Sequence, residues 1–121
     1  MHSPISTKQR LQITRQKMSE QDPLIRNANF EEVNLGLPEK VAVLEAERCL
    51  QCKDPKCVRG CPVMVNIPRF IALLSEGNLA GAASSLLDDN ALPAGTGRVC
   101  PQETQCEVEC IRGHKGLPVA T

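Results

Sequence analysis

The chain has no tryptophan, no tyrosine and only two phenylalanines in 121 residues. Large aromatic side chains carry much of a small domain's buried apolar area, so a conventional aromatic core is excluded and something else must fill the middle. Charge of either sign is not in excess. There are 14 Lys and Arg against 14 Asp and Glu, seven of each sign through Arg48 and seven of each after it, which argues against nucleic acid or an anionic membrane as partner. No apolar run approaches the roughly 18 residues of a membrane span, and MHSPISTKQRLQITRQK at the start lacks a secretory apolar segment. Strand-like alternation is missing throughout. So is the G-x-G-x-x-G fingerprint of a dinucleotide pocket, and the length leaves no room for flavin and nucleotide domains. One small domain, or a piece of a larger protein, is what this length allows.

What the sequence does have is cysteine, and all of it lies from residue 49 onward: Cys49, Cys52, Cys57, Cys61, Cys100, Cys106 and Cys110. Seven thiols cannot pair completely within one chain. A cytosolic location is expected, where clustered thiols stay reduced and bind metal more often than they form disulfides. The first run, CLQCKDPKCVRGCP, has the spacing C-x2-C-x4-C-x3-C-P. Three thiolates at such intervals can wrap one compact inorganic cube, while a fourth, held off by three residues and turned by Pro62, points elsewhere. The C-x2-C-x2-C-x3-C-P run of bacterial two-cluster ferredoxins divides its thiols in that way; here Asp54 and Pro55 are the two additional residues. The second run, CPQETQCEVEC, spans residues 100–110. Iron-sulfur ligation is the reading this spacing favours. Structural zinc in an interaction domain is the alternative, with disulfide pairing and a thioredoxin-like CxxC behind it, since no strand precedes Cys49.

Helical signals surround the thiols. Residues 1–36 show no sustained period and are punctuated by Asp22, Pro23 and Gly36, so they read as a loop or extended arm. Pro38 and Glu39 open a helix along Val43, Ala46 and Leu50, which puts the first thiols at a helix end. In VNIPRFIALLSEGN, Asn66 can cap, and Ile67, Phe70, Ile71 and Leu74 share a face that ends at Gly77. Asn78 caps a second stripe of Leu79, Ala83, Leu86 and Leu87, which makes an αα-hairpin with a very short turn. The remainder, ALPAGTGRVCPQETQCEVECIRGHKGLP, reads as loop with at most one short helix over residues 102–109. The expected architecture is all-α, with cysteine loops on either side of the hairpin.

CLQCKDPKCVRGCPVMVNIPRFIALLSEGNLAGAASSL, followed by LPAGTGRVCPQETQCEVEC and GHKGLPVA, resembles the N-terminal iron-sulfur domain of the NADPH-dependent glutamate synthase small subunit family. That domain is shared with ferredoxin:NADP oxidoreductases of the sulfide dehydrogenase type and with dihydropyrimidine dehydrogenase. The resemblance covers about residues 18–120 and implies an α-helical ferredoxin fold, with residues 37–121 as a two-cluster domain. It further implies that Cys49, Cys52, Cys57 and Cys110 ligate one 4Fe-4S cluster, and that Cys61, Cys100 and Cys106 supply three ligands of a second. The fourth would be a Glu or Gln beyond the GLPVA stretch, outside this chain. The module would relay electrons from an FAD domain that oxidises NADPH, elsewhere in the parent protein, to a partner such as the glutamate synthase large subunit. The fragment itself would perform no chemical step.

Other residues have two readings. Arg98, in the GRVCP motif with Gly97, either offsets thiolate charge or pairs with a carboxylate. Lys53, Lys56 and Arg59 are a solvated loop face or a balance for cluster charge. His114 is a solvated loop residue or a substitute ligand. Glu103, Glu107 and Glu109 are most simply surface carboxylates.

Overall fold

Helix α5, Ile67–Ser75, and helix α6, Leu79–Asp89, form the hairpin on which the rest is built. The Asn66 side chain accepts the Arg69 N–H at the start of α5, with Pro68 in the first turn. At its end Gly77 takes φ +75°, the Gly77 N–H reaches the Leu74 carbonyl and the Asn78 N–H reaches that of Leu73. This is a Schellman stop, which needs a left-handed residue that glycine supplies without strain. Asn78 then caps α6 by accepting the Gly81 N–H at 2.8 Å. The computed structural model describes residues 5–121; the first four residues of the expected arm lie outside them. Among the described residues the elements are helical, with a single isolated bridge between Glu20 and Asn34 and no strand.

Helix α3, Glu39–Ala46, packs on α5, and α5 packs on α6. The core joins Ala46, Val65, Ile67, Ile71 and Val119 to buried Cys106, with Cys49, Cys57, Cys61 and Cys110 packed against it. One thiol thus lies in the small aliphatic interior, and four more pack against it.

Three segments depart from expectation. Residues 5–36 contain two short helices, α1 at Thr7–Gln12 and α2 at Pro23–Arg26. Their start signals are local ones, a capping box between Ser6 and Gln9 and an Asp22 cap ahead of Pro23. Within the first cysteine run, Lys56–Gly60 forms helix α4. Pro93–Val99, expected as loop, is helix α7. Gly95 and Gly97 weaken its helical signal; what holds it is Pro93 in its first turn, the Thr96 hydroxyl on the Leu92 carbonyl and the Arg98 guanidinium on the Ala94 carbonyl. Residues 102–109, read as loop with at most one short helix, hold a 3-10 turn, Gln102–Thr104, followed by turns, in keeping with that reading.

Candidate metal centre

Cys49 leaves the end of α3 through hydrogen bonds from the Arg48 N–H to the Glu45 carbonyl and from its own N–H to that of Ala46. Gln51 then adopts φ +51°, a left-handed turn costly for a residue with a side chain. The turn brings the Gln51 backbone N–H to the Cys49 sulfur, and the Gln51 side-chain amide lies 3.4 Å from the same atom. Cys57 sits in the first turn of α4, its sulfur hydrogen-bonded to the Val58 backbone N–H.

Gly60, in α4, is where the two cysteine runs meet. A Cβ there would stand 2.9 Å from the Gln105 carbonyl oxygen and 3.2 Å from the Cys106 Cα. Only a residue without a side chain lets the two backbones approach so closely. The contact sets Cys61 beside the second run, and the 3-10 turn Ile111–His114 begins from Cys110.

The thiols then part into two groups. Cys49, Cys52, Cys57 and Cys110 line one hollow of about 40 Å³, with Ile67, Ile71 and Val119 as its apolar floor and Lys56, Glu109 and Arg112 also on its lining. Cys61, Cys100 and Cys106 line a second, of about 440 Å³, whose lining contains no charged side chain and includes Val65, Phe70, Leu86, Gln102 and Gln105. Ile67 and Thr121 border both. Each group takes members from both sequence runs.

Electrostatics follows the same partition. Burial pushes the Cys57 thiol up to about 11, and the neighbouring sulfurs of Cys49, Cys110 and Cys52 add to the effect. Cys49 is raised by burial, opposed by the Gln51 N–H, and Cys52 by burial and then by Cys110. In the second group burial raises Cys106, the Thr121 hydroxyl opposes this, and Glu107, Cys100 and Cys61 add to it. The Cys100 thiol donates to the Gln105 side-chain oxygen at 3.4 Å. Gathered thiols of this kind resist ionising together unless a cation joins them, and a metal group would release their protons on binding.

The donor set suits a cluster better than a single ion. One zinc needs four donors within about 2.0–2.3 Å of a point; among the described residues no three His, Cys, Asp or Glu side chains are grouped to hold one metal ion. Thiols spread around a hollow suit a cube in which each sulfur meets its own iron.

Of the remaining candidates, His114 is exposed and borders neither hollow. Arg59 pairs with Asp54 on the surface, and Arg98 pairs with Glu32 at 2.6 Å, so the carboxylate-paired reading of Arg98 holds. Lys53 and Glu103 are exposed. Glu107 is a correction: expected on the surface, it is buried, accepting Arg15 at 2.8 Å and the Thr121 N–H at 3.2 Å. Sequence reasoning missed a second buried carboxylate, Glu45, which accepts the Arg48 guanidinium at 2.5 Å, the Ala120 N–H at 2.7 Å and the Gln16 N–H at 2.7 Å. Arg48 also reaches the carbonyls of Ile13, Leu117 and Pro118. Glu45 and Arg48 are 2% and 1% exposed, so the pair tolerates burial because its hydrogen-bonding groups are engaged.

Comparison with known proteins points to an iron-sulfur domain. Residues 26–121 match the family described as dihydropyrimidine dehydrogenase domain II, 4Fe-4S cluster. The NADPH glutamate synthase small chain of Halomonas elongata is 37% identical over 100 residues, 83% of this chain and 21% of that protein. The Escherichia coli glutamate synthase small chain is 41% identical over 86 residues, 71% of this chain and 18% of that protein. The NAD-dependent dihydropyrimidine dehydrogenase subunit PreT of Salmonella typhimurium is 36% identical over 90 residues, 74% and 22%. This chain matches about a fifth of the length of these curated relatives.

Proposed function

Because the chain belongs to the dihydropyrimidine dehydrogenase domain II 4Fe-4S family, we propose that it is an electron-transfer module with two cluster sites. Cys49, Cys52, Cys57 and Cys110 hold one 4Fe-4S cluster, and Cys61, Cys100 and Cys106 hold three corners of the second. The observation that carries this reading is the division of seven thiols between two hollows, each fed by both cysteine runs. When bound, such a cluster accepts and releases an electron at a potential set by its ligands, hydrogen bonds to sulfur and burial. The chain supplies those settings: the Gln51 and Val58 N–H groups at the first set, and the Thr121 hydroxyl at Cys106. Ile67 and Thr121, bordering both hollows, keep the two sites adjacent.

The fourth corner of the second site calls for a carboxylate or amide, the kind of ligand the family resemblance implies there. In the parent protein the module relays electrons from an FAD domain that oxidises NADPH to a partner subunit, of which the glutamate synthase large subunit is the leading candidate. Among the described residues no helix is long and apolar enough to cross a membrane.

Anaerobic reconstitution tests the reading. Two cubes require about eight iron and eight sulfide per chain, with broad visible absorption. A colourless protein that takes up zinc without sulfide would establish the zinc alternative instead.

A further inference from the structure

The family match begins at residue 26, yet the hydrogen bonds that brace the first thiol group run back to residue 10. Helix α1 has no buried residue, so apolar burial does not account for its position. Guanidinium bonds do. Arg10 Nη1 donates to the carbonyls of Glu47, at 2.9 Å, and Cys49, at 3.1 Å. Arg112, two residues past Cys110 in the other run, donates through Nη1 to the carbonyls of Arg10, at 2.7 Å, and Arg48, at 3.2 Å. Its Nη2 reaches those of Leu11 and Ile13, both at 3.3 Å.

Carbonyls just past the end of α3 lack helical partners and carry the negative end of the helix dipole. Those of residues 47, 48 and 49 are engaged by these two arginines. Farther along the same segment, Gln16 donates to Glu45 and Arg15 to Glu107. Residues 10–16 therefore touch the helix leading into the first run and the loop that carries Cys106 and Cys110.

We propose that residues 7–16 are a strap belonging to the cluster-holding unit, with Arg10 and Arg112 as the positioning residues that hold Cys49 and Cys110 in register. The proposal rests on the reading that the first thiol group holds a cluster. It extends the functional unit beyond the family boundary and ties it to the first site, since Arg10 and Arg112 hold the carbonyls of Glu47, Arg48 and Cys49 at the start of the first run.

The test uses the full 121-residue chain, reconstituted anaerobically, with Arg10→Gln, Arg10→Lys and Arg112→Gln. Signals of the first cluster are assigned from Cys106→Ala, which disables the second site. Loss of each cluster to a chelator is followed by EPR, with circular dichroism reporting helix content. Removing residues that orient metal ligands typically costs 10–100-fold in affinity; Arg10→Gln and Arg112→Gln should speed loss of the first cluster by about 10-fold or more and leave the second unchanged. Arg10→Lys, whose ammonium can donate to both carbonyls, should recover most of the retention. Loss rates within about twofold of the parent chain, or equal acceleration of both clusters, would overturn the strap. If the parent chain takes up no iron and sulfide, the cluster reading itself has failed, a result separate from any difference among the variants.

Discussion

The two thiol groups sit in unlike surroundings. Cys49, Cys52, Cys57 and Cys110 stand around a hollow of about 40 Å³, with guanidiniums on the adjoining backbone carbonyls and a buried Glu45–Arg48 pair behind them. Cys61, Cys100 and Cys106 border about 440 Å³ of space lined by apolar and uncharged polar groups. The first site is held by many directional bonds made within the chain. A wide uncharged one takes its definition from what fills it. The difference teaches that the two thiol groups, four against three, differ in their scaffold as well as in their number.

The strongest way to break the comparison is to remove the buried pair. Glu45→Ala leaves Arg48 charged, buried and without its carboxylate, and frees the Gln16 and Ala120 N–H groups. Loss of one partner of such a pair costs about 3–5 kcal/mol, so chemical denaturation of the apo chain should show a large drop in midpoint or no folded baseline. A change below about 1 kcal/mol would mean that the first site does not depend on this support.

Next in size is Gly60→Ala, which strikes both groups together. The added methyl meets the Gln105 carbonyl and the Glu109 Cγ, both at 2.9 Å, and must push the two runs apart. Overpacking of this kind costs about 1–3 kcal/mol, and reconstitution of both clusters should fall. Loss at only one site would show that the contact serves one run alone.

Asn66→Ala serves as a control that should leave the comparison intact. It deletes the cap of α5 at a cost of about 1 kcal/mol, measurable as a lower melting temperature with the ratio of the two clusters unchanged.

The last effect is one of pH and is confined to alkaline conditions. The Cys57 thiol is raised from 9.0 to about 11 by burial and its sulfur neighbours. A raised pKa means that the folded apo chain binds its proton more tightly than the unfolded chain does. The resulting stability is fully present below pH 9 and is lost as pH rises through about 11. Apo Cys57→Ala should lack this part of the alkaline decline in thermal stability, which tests whether the first group is as crowded as described.

Much of the fold was legible in short-range chemistry. The Asn66 and Asn78 caps, the Gly77 stop and the stripe of Ile67, Phe70, Ile71 and Leu74 each act within a turn of the residues they organise, and the hairpin follows from them. Thiol spacing indicated the kind of site. Helix α7 was hidden because Gly95 and Gly97 oppose it and its stabilising bonds come from Thr96 and Arg98 side chains folded back on carbonyls. The buried carboxylates Glu45 and Glu107 were hidden for a different reason. Glu45 accepts from an N–H 75 positions along the chain, and Glu107 from a guanidinium 92 positions away; local pattern cannot distinguish such a residue from a solvated one. The docking of residues 10–16 escaped notice likewise, since it consists of arginine bonds to backbone carbonyls and leaves no apolar period.

The central claim is the crossing of the two runs, and single thiol replacements read it directly. In the anaerobically reconstituted chain, Cys110→Ser should alter the EPR and Mössbauer signals of the cluster that Cys57→Ser also alters, although Cys110 lies nearest in sequence to Cys106. Cys61→Ser should alter the other cluster, together with Cys100→Ser. If Cys57→Ser and Cys61→Ser perturb the same cluster while Cys106→Ser and Cys110→Ser perturb the other, each run serves its own site and the crossed assignment is wrong.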